Sequence, residues 1–149
     1  MCSSSWPVRV GVLCPSIRAL AGVTSSPLAA DGITFADGRI ARPSIALAEV
    51  QGYCYAAYRA RAAFARQAGD EPRARHRDGK VARLKRAFNQ AFWLPAQGWF
   101  AVALDRGKRP VDALTSNIGH CLWTGIADAG KAAIIADRLR PHTVISPAA

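Results

Sequence analysis

A long run of apolar residues at helical spacing constrains this chain more than any other feature. Leu47, Val50, Cys54, Ala57, Tyr58, Phe64 and Ala65 recur at steps of three and four residues, which places them along one side of a helix. The spacing predicts a helix from about Ser44 to Ala68. Pro43 fits its start, where a missing N–H costs nothing, and Gly69 fits its C-terminal cap. Asp70–Pro72 reads as the turn that follows. A second helix is expected over Asp78–Phe92, with Val81, Leu84, Phe88, Ala91 and Phe92 as its stripe. Arg83, Lys85 and Arg86 fall mostly off that stripe, so this helix should turn one face to water.

The next segment changes period. Phe100, Val102 and Leu104 alternate within Gly98–Asp105, Asp105–Lys108 reads as a turn, and Val111–Leu114 as a returning strand. Ser116 or Asn117 can cap a third helix running through Gly125. Asp128 can cap a fourth over Ala129–Leu139, with Ile134, Ile135 and Leu139 as its apolar positions and Pro141 as its stop. The pattern is two αα-hairpins joined by a small β-ribbon, an all-α fold class. Residues 31–140 make up that domain. Residues 1–30 carry serine, proline and glycine in every candidate element and are expected to form a poorly ordered arm. Residues 141–149 read as a tail. The apolar piece Val8–Cys14 is short, interrupted by Arg9 and stopped by Pro15, which argues against a targeting segment.

At 149 residues and 50% hydrophobic, the chain can bury one core of ordinary size. Its formal net charge of +10 raises nucleic acid or an anionic surface as a partner. The basic residues concentrate in Arg73, Arg75, His76, Arg77, Lys80, Arg83, Lys85 and Arg86, but no aromatic residue interleaves them. A solvated outer helix is the better reading, and a basic helical nucleic-acid-binding module is the alternative. Cys2, Cys14, Cys54 and Cys121 form no C-x-x-C pair, so metal and redox spacings are absent. No apolar run approaches the roughly 18 residues of a membrane span. A reduced, cytoplasmic protein without membrane contact is expected.

Two stretches carry the chemistry. Ile45–Ala57 reads IALAEVQGYCYAA and Ser116–Ile126 reads SNIGHCLWTGI. Each sets polar groups that can bond hydroxyls (Glu49, Gln51; Asn117, His120) beside aromatic rings that can stack on a sugar (Tyr53; Trp123). Each also opens an apolar helical segment, so the groups would line a rim at helix N-termini. Among the acids, Asp70, Glu71, Asp78, Asp105, Asp112, Asp128 and Asp137 sit in turns or near helix starts, where capping and the helix dipole account for them. Asp37 belongs to a turn. Asp31 and Glu49 remain as acids with a chemical role open to them, and for Glu49 the helix dipole is a competing explanation.

With Phe88–Asp105 (FNQAFWLPAQGWFAVALD), these stretches resemble the six-hairpin glycosidases of the glycogen-debranching, amylo-α-1,6-glucosidase type, from about Asp31 to Leu139. The resemblance implies a partial (α/α) toroid. Ser44–Ala68 and Asn117–Gly125 would be inner helices, and Asp78–Phe92 and Ala129–Leu139 outer ones. The loops Asp31–Pro43 and Asp105–Ser116 would then share one mouth, with Glu49 and His120 on the same side. It also implies hydrolysis of α-1,6 glucosidic branches without metal or organic cofactor, and α-glucan or maltooligosaccharide as ligand. Substrate-binding roles follow for Glu49, Gln51, Tyr53, Asn117, His120 and Trp123.

The likeness fails at both ends. Where the family has Trp-Lys-Asp-Ser ahead of the Asp31-Gly32-Ile33 match, this chain reads Ser26-Pro27-Leu28-Ala29-Ala30. Ile118 stands where the family commonly has a proline or a small residue. After Arg138-Leu139 the sequence turns to Arg140-Pro141-His142, away from the family's Phe-, Ser-, Gly- and Trp-rich continuation toward its second catalytic acid. No catalytic residue can therefore be assigned. The expectation is a glycoside hydrolase fragment, inactive on its own, weak in sugar binding and prone to self-association through uncovered inner faces.

Overall fold

The computed structural model describes residues 32–140; the expected N-terminal arm, Asp31 and the tail over 141–149 lie outside the described residues. The elements run β1 (Ala46–Leu47), α1 (Ala48–Gln67), α2 (Glu71–Ala91), β2 (Trp93–Leu94), β3 (Trp99–Phe100), β4 (Ala103–Leu104), β5 (Pro110–Val111), α3 (Ile118–Thr124) and α4 (Ala129–Leu139). The molecule is mostly helical, as the sequence led us to expect, and carries two small antiparallel sheets.

Helix α1 begins four residues later than its periodicity predicts. Ala46 and Leu47 pair antiparallel with Leu104 and Ala103, so the apolar run is captured by a sheet before it can coil. Pro43 consequently lies in the loop ahead of β1 and not at a helix start. The other end is as expected. Gly69 takes φ 73°, its N–H donates to Arg66 O at 2.9 Å, and that of Asp70 donates to Ala65 O at 2.8 Å. This pair of reverse bonds closes the helix through a residue that needs a left-handed backbone.

Helix α2 begins seven residues earlier than expected. The Asp70 carboxylate accepts the Arg73 N–H at 3.0 Å, and Pro72 falls in the first turn, where its missing donor is harmless. Ion pairs of Arg75 with Glu71 and of Arg66 with Asp78 cross the first two turns. Ala74, fully buried, anchors this part of the helix in the core. Its small apolar contact is hidden in the sequence by the charged residues around it. Asp78-Gly79, which looks like a helix start, is helix interior.

The single expected hairpin resolves into two ribbons. β2 pairs with β3, and β4 lies between β1 and β5 in the second sheet. Residues 100–105 are all buried, so both faces of this segment are covered and its alternation is weak as a consequence. The ring of Phe88 lies 4.9 Å from that of Phe92 and 4.7 Å from that of Phe100. Leu84, Ile118, Cys121, Ile126 and Ile135 complete the same core.

Helix α3 ends at Gly125 in the left-handed region, but neither Ser116 nor Asn117 caps its start through a side chain. Asn117 already has helical angles, and the carbonyls of Ser116 and Asn117 receive the N–H groups of Gly119 and His120 instead. Helix α4 has the expected bounds. Asp128 occupies its N-cap position, although its carboxylate leans toward Lys131 and makes no cap bond. Of the three apolar positions expected on α4, Ile135 is buried, whereas Ile134 and Leu139 are exposed. Contacts at the helix ends hold α4 in place: Lys131 lies over the Trp93 ring and Arg138 over the Trp99 ring. No helix among the described residues is long and apolar enough to cross a membrane.

Asn89 ties these layers together. Its buried amide donates to Lys85 O at 2.9 Å and to Ile126 O at 2.8 Å, and accepts the Asp128 N–H at 2.9 Å. Its backbone carbonyl accepts from Lys131 Nζ at 2.7 Å. Replacing the amide by a hydrocarbon strands the buried Ile126 carbonyl and the partly buried Asp128 N–H at once. Each buried polar group left without a partner costs about 1–3 kcal/mol. Asn89→Leu is therefore expected to lower stability by about 2–5 kcal/mol in urea denaturation, whereas the exposed neighbour Gln90→Leu should stay within about 0.5 kcal/mol.

Candidate functional site

Helices α1 and α3 cross at a glycine. A Cβ on Gly52 would lie 2.8 Å from Thr124 Oγ1, 3.4 Å from Thr124 Cγ2 and 3.6 Å from His120 O. Thr124 cannot easily swing away, because its hydroxyl donates to His120 O at 2.8 Å. The two backbones thus approach as closely as side chains allow, and the residue after the glycine faces α3. The Tyr53 hydroxyl and His120 Nδ1 share a hydrogen bond of 3.0 Å, with the rings edge to face at 5.6 Å. Gly52 and Thr124 are positioning residues that motif reading passed over. A glycine inside an otherwise helical run is the signal that could have found them.

The other candidate residues distribute as follows. Glu49 is half-buried in the first turn of α1 and lies one turn before Tyr53 on the same face. Trp123, 79% exposed, lies one turn after His120 on α3 and shares its face. Asn117 is half-buried at the α3 N-cap position. Gln51 is 0% exposed and points about 160° away from Glu49 around the helix; its amide donates to Leu47 O at 3.5 Å. The structure therefore joins Tyr53 to His120 directly and sets Gln51 behind them, inside the packing.

The loops ahead of α1 and α3 meet each other. Arg106 N–H donates to Arg42 O at 3.0 Å, and Ala36 N–H to Asp112 Oδ1 at 2.9 Å. The Phe35 ring lies beneath both Arg39 and Arg109, at 5.4 and 5.5 Å. Asp105 anchors the turn, receiving Arg109 Nε at 2.8 Å and Arg109 N–H at 2.9 Å with its side chain only 1% exposed. Burial opposes its charge, but the Arg109 side chain and the N–H groups of Arg109 and Gly107 outweigh burial and hold its pKa below the ordinary carboxylate range.

Of the acids in the described region, Asp37, Asp70, Glu71, Asp78, Asp105, Asp128 and Asp137 each pair with an arginine or lysine. Asp112 accepts the Ala36 N–H. Glu49 makes no ion pair among the described residues. Its charge is felt by Cys121, whose thiol is pushed up to about 12 by burial first and by Glu49 second. That thiol stays protonated near neutral pH and is no nucleophile. Among the described residues no group of three or more His, Cys, Asp and Glu could hold a metal ion.

The family model described as "Mannosylglycerate hydrolase MGH1-like glycoside hydrolase domain" matches residues 22–146. The chain belongs to this glycoside hydrolase family, which is of the six-hairpin glycosidase type. No curated protein matches it. The two helical pairs and their ribbons are accordingly part of a helical glycosidase domain.

Two outcomes are expected from these contacts. Alanine favours a helix interior over glycine by about 1 kcal/mol, but overpacking a tight contact costs about 1–3 kcal/mol. Gly52→Ala should therefore lower stability by up to about 2 kcal/mol, and adding Thr124→Ala should recover part of the loss. Gly119→Ala, where nothing lies within 4 Å of the new Cβ, should instead gain roughly 0.5–1 kcal/mol. The second concerns acid. A depressed folded-state pKa contributes stability above the unfolded value of about 3.9, and that contribution is lost as pH falls through the folded value. Urea midpoints should fall below about pH 4 in the wild type, and Asp105→Asn should be less stable at pH 7 with a flatter acid limb.

Proposed function

We propose that this domain forms part of the sugar-contacting wall of a glycoside hydrolase acting on α-glucan branches, and that the chain by itself does not hydrolyse them. The observation that carries the reading is the Tyr53–His120 hydrogen bond across the α1–α3 crossing, with Glu49 and Trp123 each one turn away. A phenol, an imidazole and a carboxylate free of ion pairs can bond sugar hydroxyls. An exposed indole offers a flat face for the apolar side of a pyranose ring. Asn117 would extend the rim at the start of α3, and Gln51 would brace it from behind.

Between two sugar classes the chemistry favours the neutral one. The family description names a mannosylglycerate hydrolase, whose substrate ends in a carboxylate. That charge would meet Glu49 at this rim. The EVQGY run instead resembles the debranching type, whose ligand is an uncharged α-glucan. Cytoplasmic residence and weak affinity follow from the same proposal.

Absence of turnover follows from the acids. Glycoside hydrolysis needs a proton donor and a second carboxylate about 5–10 Å away. Besides Glu49, only Asp112 among the described residues makes no ion pair, and its carboxylate is engaged by the Ala36 N–H. Losing an acid or base costs about 10²–10⁴ in rate.

Tryptophan fluorescence with maltotetraose tests the binding, and glucose release from a branched dextrin tests the chemistry. We expect a saturable fluorescence change that weakens about three- to tenfold in Trp123→Ala, no response to mannosylglycerate, and glucose release at the buffer rate. A maltotetraose response that survives Trp123→Ala combined with Glu49→Gln would refute the rim. Turnover abolished by Glu49→Gln would refute the claim of inactivity and make Glu49 catalytic.

A further inference from the structure

The charge on α2 is unevenly placed. Its first half balances itself: Arg73 pairs with Asp70, Arg75 with Glu71, and Asp78 with Arg66 of α1. After Asp78 the helix has no acid, yet it carries Lys80, Arg83, Lys85 and Arg86. The helix dipole does not explain them, because no basic residue falls in the last turn.

A cleft of about 400 Å³ opens on this unbalanced half, between α2 and the first turn of α4. Such a volume lies within the roughly 300–1,000 Å³ range of small-molecule sites. Lys85, Arg86, Asn89 and Gln90 line one side, Asp128 and Lys131 the other. Two of its cations are already held in place. Lys85 Nζ donates to Gly125 O at 2.8 Å and lies 5.7 Å from the Tyr55 ring centroid. Lys131 Nζ donates to Asn89 O at 2.7 Å and lies over Trp93. Each ammonium has three donors and spends one on a carbonyl, so two remain for a ligand. The rotamer entropy that flexible lysines lose on binding an anion is here already lost in folding. Arg86 is exposed, makes no ion pair among the described residues, and presents a planar fork of donors. Against these three cations stands one carboxylate, that of Asp128, itself 3.9 Å from Lys131.

We propose that this cleft binds a small tetrahedral dianion of the phosphate monoester type, with Lys85, Lys131 and Arg86 as its donors. The site is separate from the Tyr53–His120 rim and does not depend on the sugar reading.

Amide and arginine side-chain NMR shifts, followed during titration with inorganic phosphate at constant ionic strength set by chloride, test the proposal. Saturable shifts should centre on Arg86, Gly130 and Lys131. Arg86→Gln, a surface change that leaves the fold intact, should weaken binding about fivefold, the upper end of what a single exposed charge contributes. Arg61→Gln, on the exposed face of α1, should leave it unchanged. Equal weakening by both substitutions would mean that phosphate answers only to net charge, and would overturn the site. So would shifts spread evenly along α2, or no saturation by about twenty millimolar phosphate.

Discussion

Everything at the rim depends on how closely α1 and α3 approach at Gly52. With Thr124 Oγ1 already 2.8 Å from where a Cβ would stand, no other residue fits there without displacing the Thr124 side chain or the helix that carries it. That approach brings the phenol of Tyr53 to the imidazole of His120 although 67 residues separate them in sequence. It also sets Glu49 close enough to influence the buried Cys121. A helix of only 7 residues, as α3 is, has little stability of its own. It is held by its partner, so the site is a property of the crossing and not of either stretch alone.

A second set of contacts makes the crossing rigid from behind. Asn89 reads out the backbone of the α3–α4 connection, and cation–aromatic contacts clamp α4 onto the β2–β3 ribbon. On the other flank, the sheet formed by β1, β4 and β5 fixes where α1 starts, and the Asp105 turn locks onto the loop holding Phe35. The loops that precede α1 and α3 are thereby joined to each other.

Much of this was legible in the sequence where one period dominates. The glycine cap of α1, the bounds of α4 and the turn at Asp105 follow from local rules, but the stripe expected on α1 does not hold: Ala57 and Phe64 are exposed, and the buried positions are Ala48, Gln51, Gly52, Tyr55, Ala62 and Ala65. The errors arise where a non-local contact overrode a local signal. Ala46 and Leu47 look helical but pair with β4. Asp78-Gly79 looks like a helix start but lies inside α2, because Asp70 caps the chain earlier and Ala74 is buried against the core. Ile134 and Leu139 keep the period of α4 but stay exposed. Gln51 sits in a motif with Glu49 and Tyr53, yet a two-residue step on a helix sends it to the opposite face. The rim motifs were visible as residue types, whereas the close approach that couples them was not, because the informative residue there is one without a side chain.

The central claim is that residues from α1 and α3 form a single sugar-contacting surface. Intermolecular NOEs measured on isotope-labelled protein with unlabelled maltotetraose test it most directly. The account predicts contacts from sugar ring protons to the side chains of Tyr53, His120 and Trp123 in one complex. Sugar contacts confined to other surfaces of a folded chain, or an absence of any contact at high ligand concentration, would contradict it.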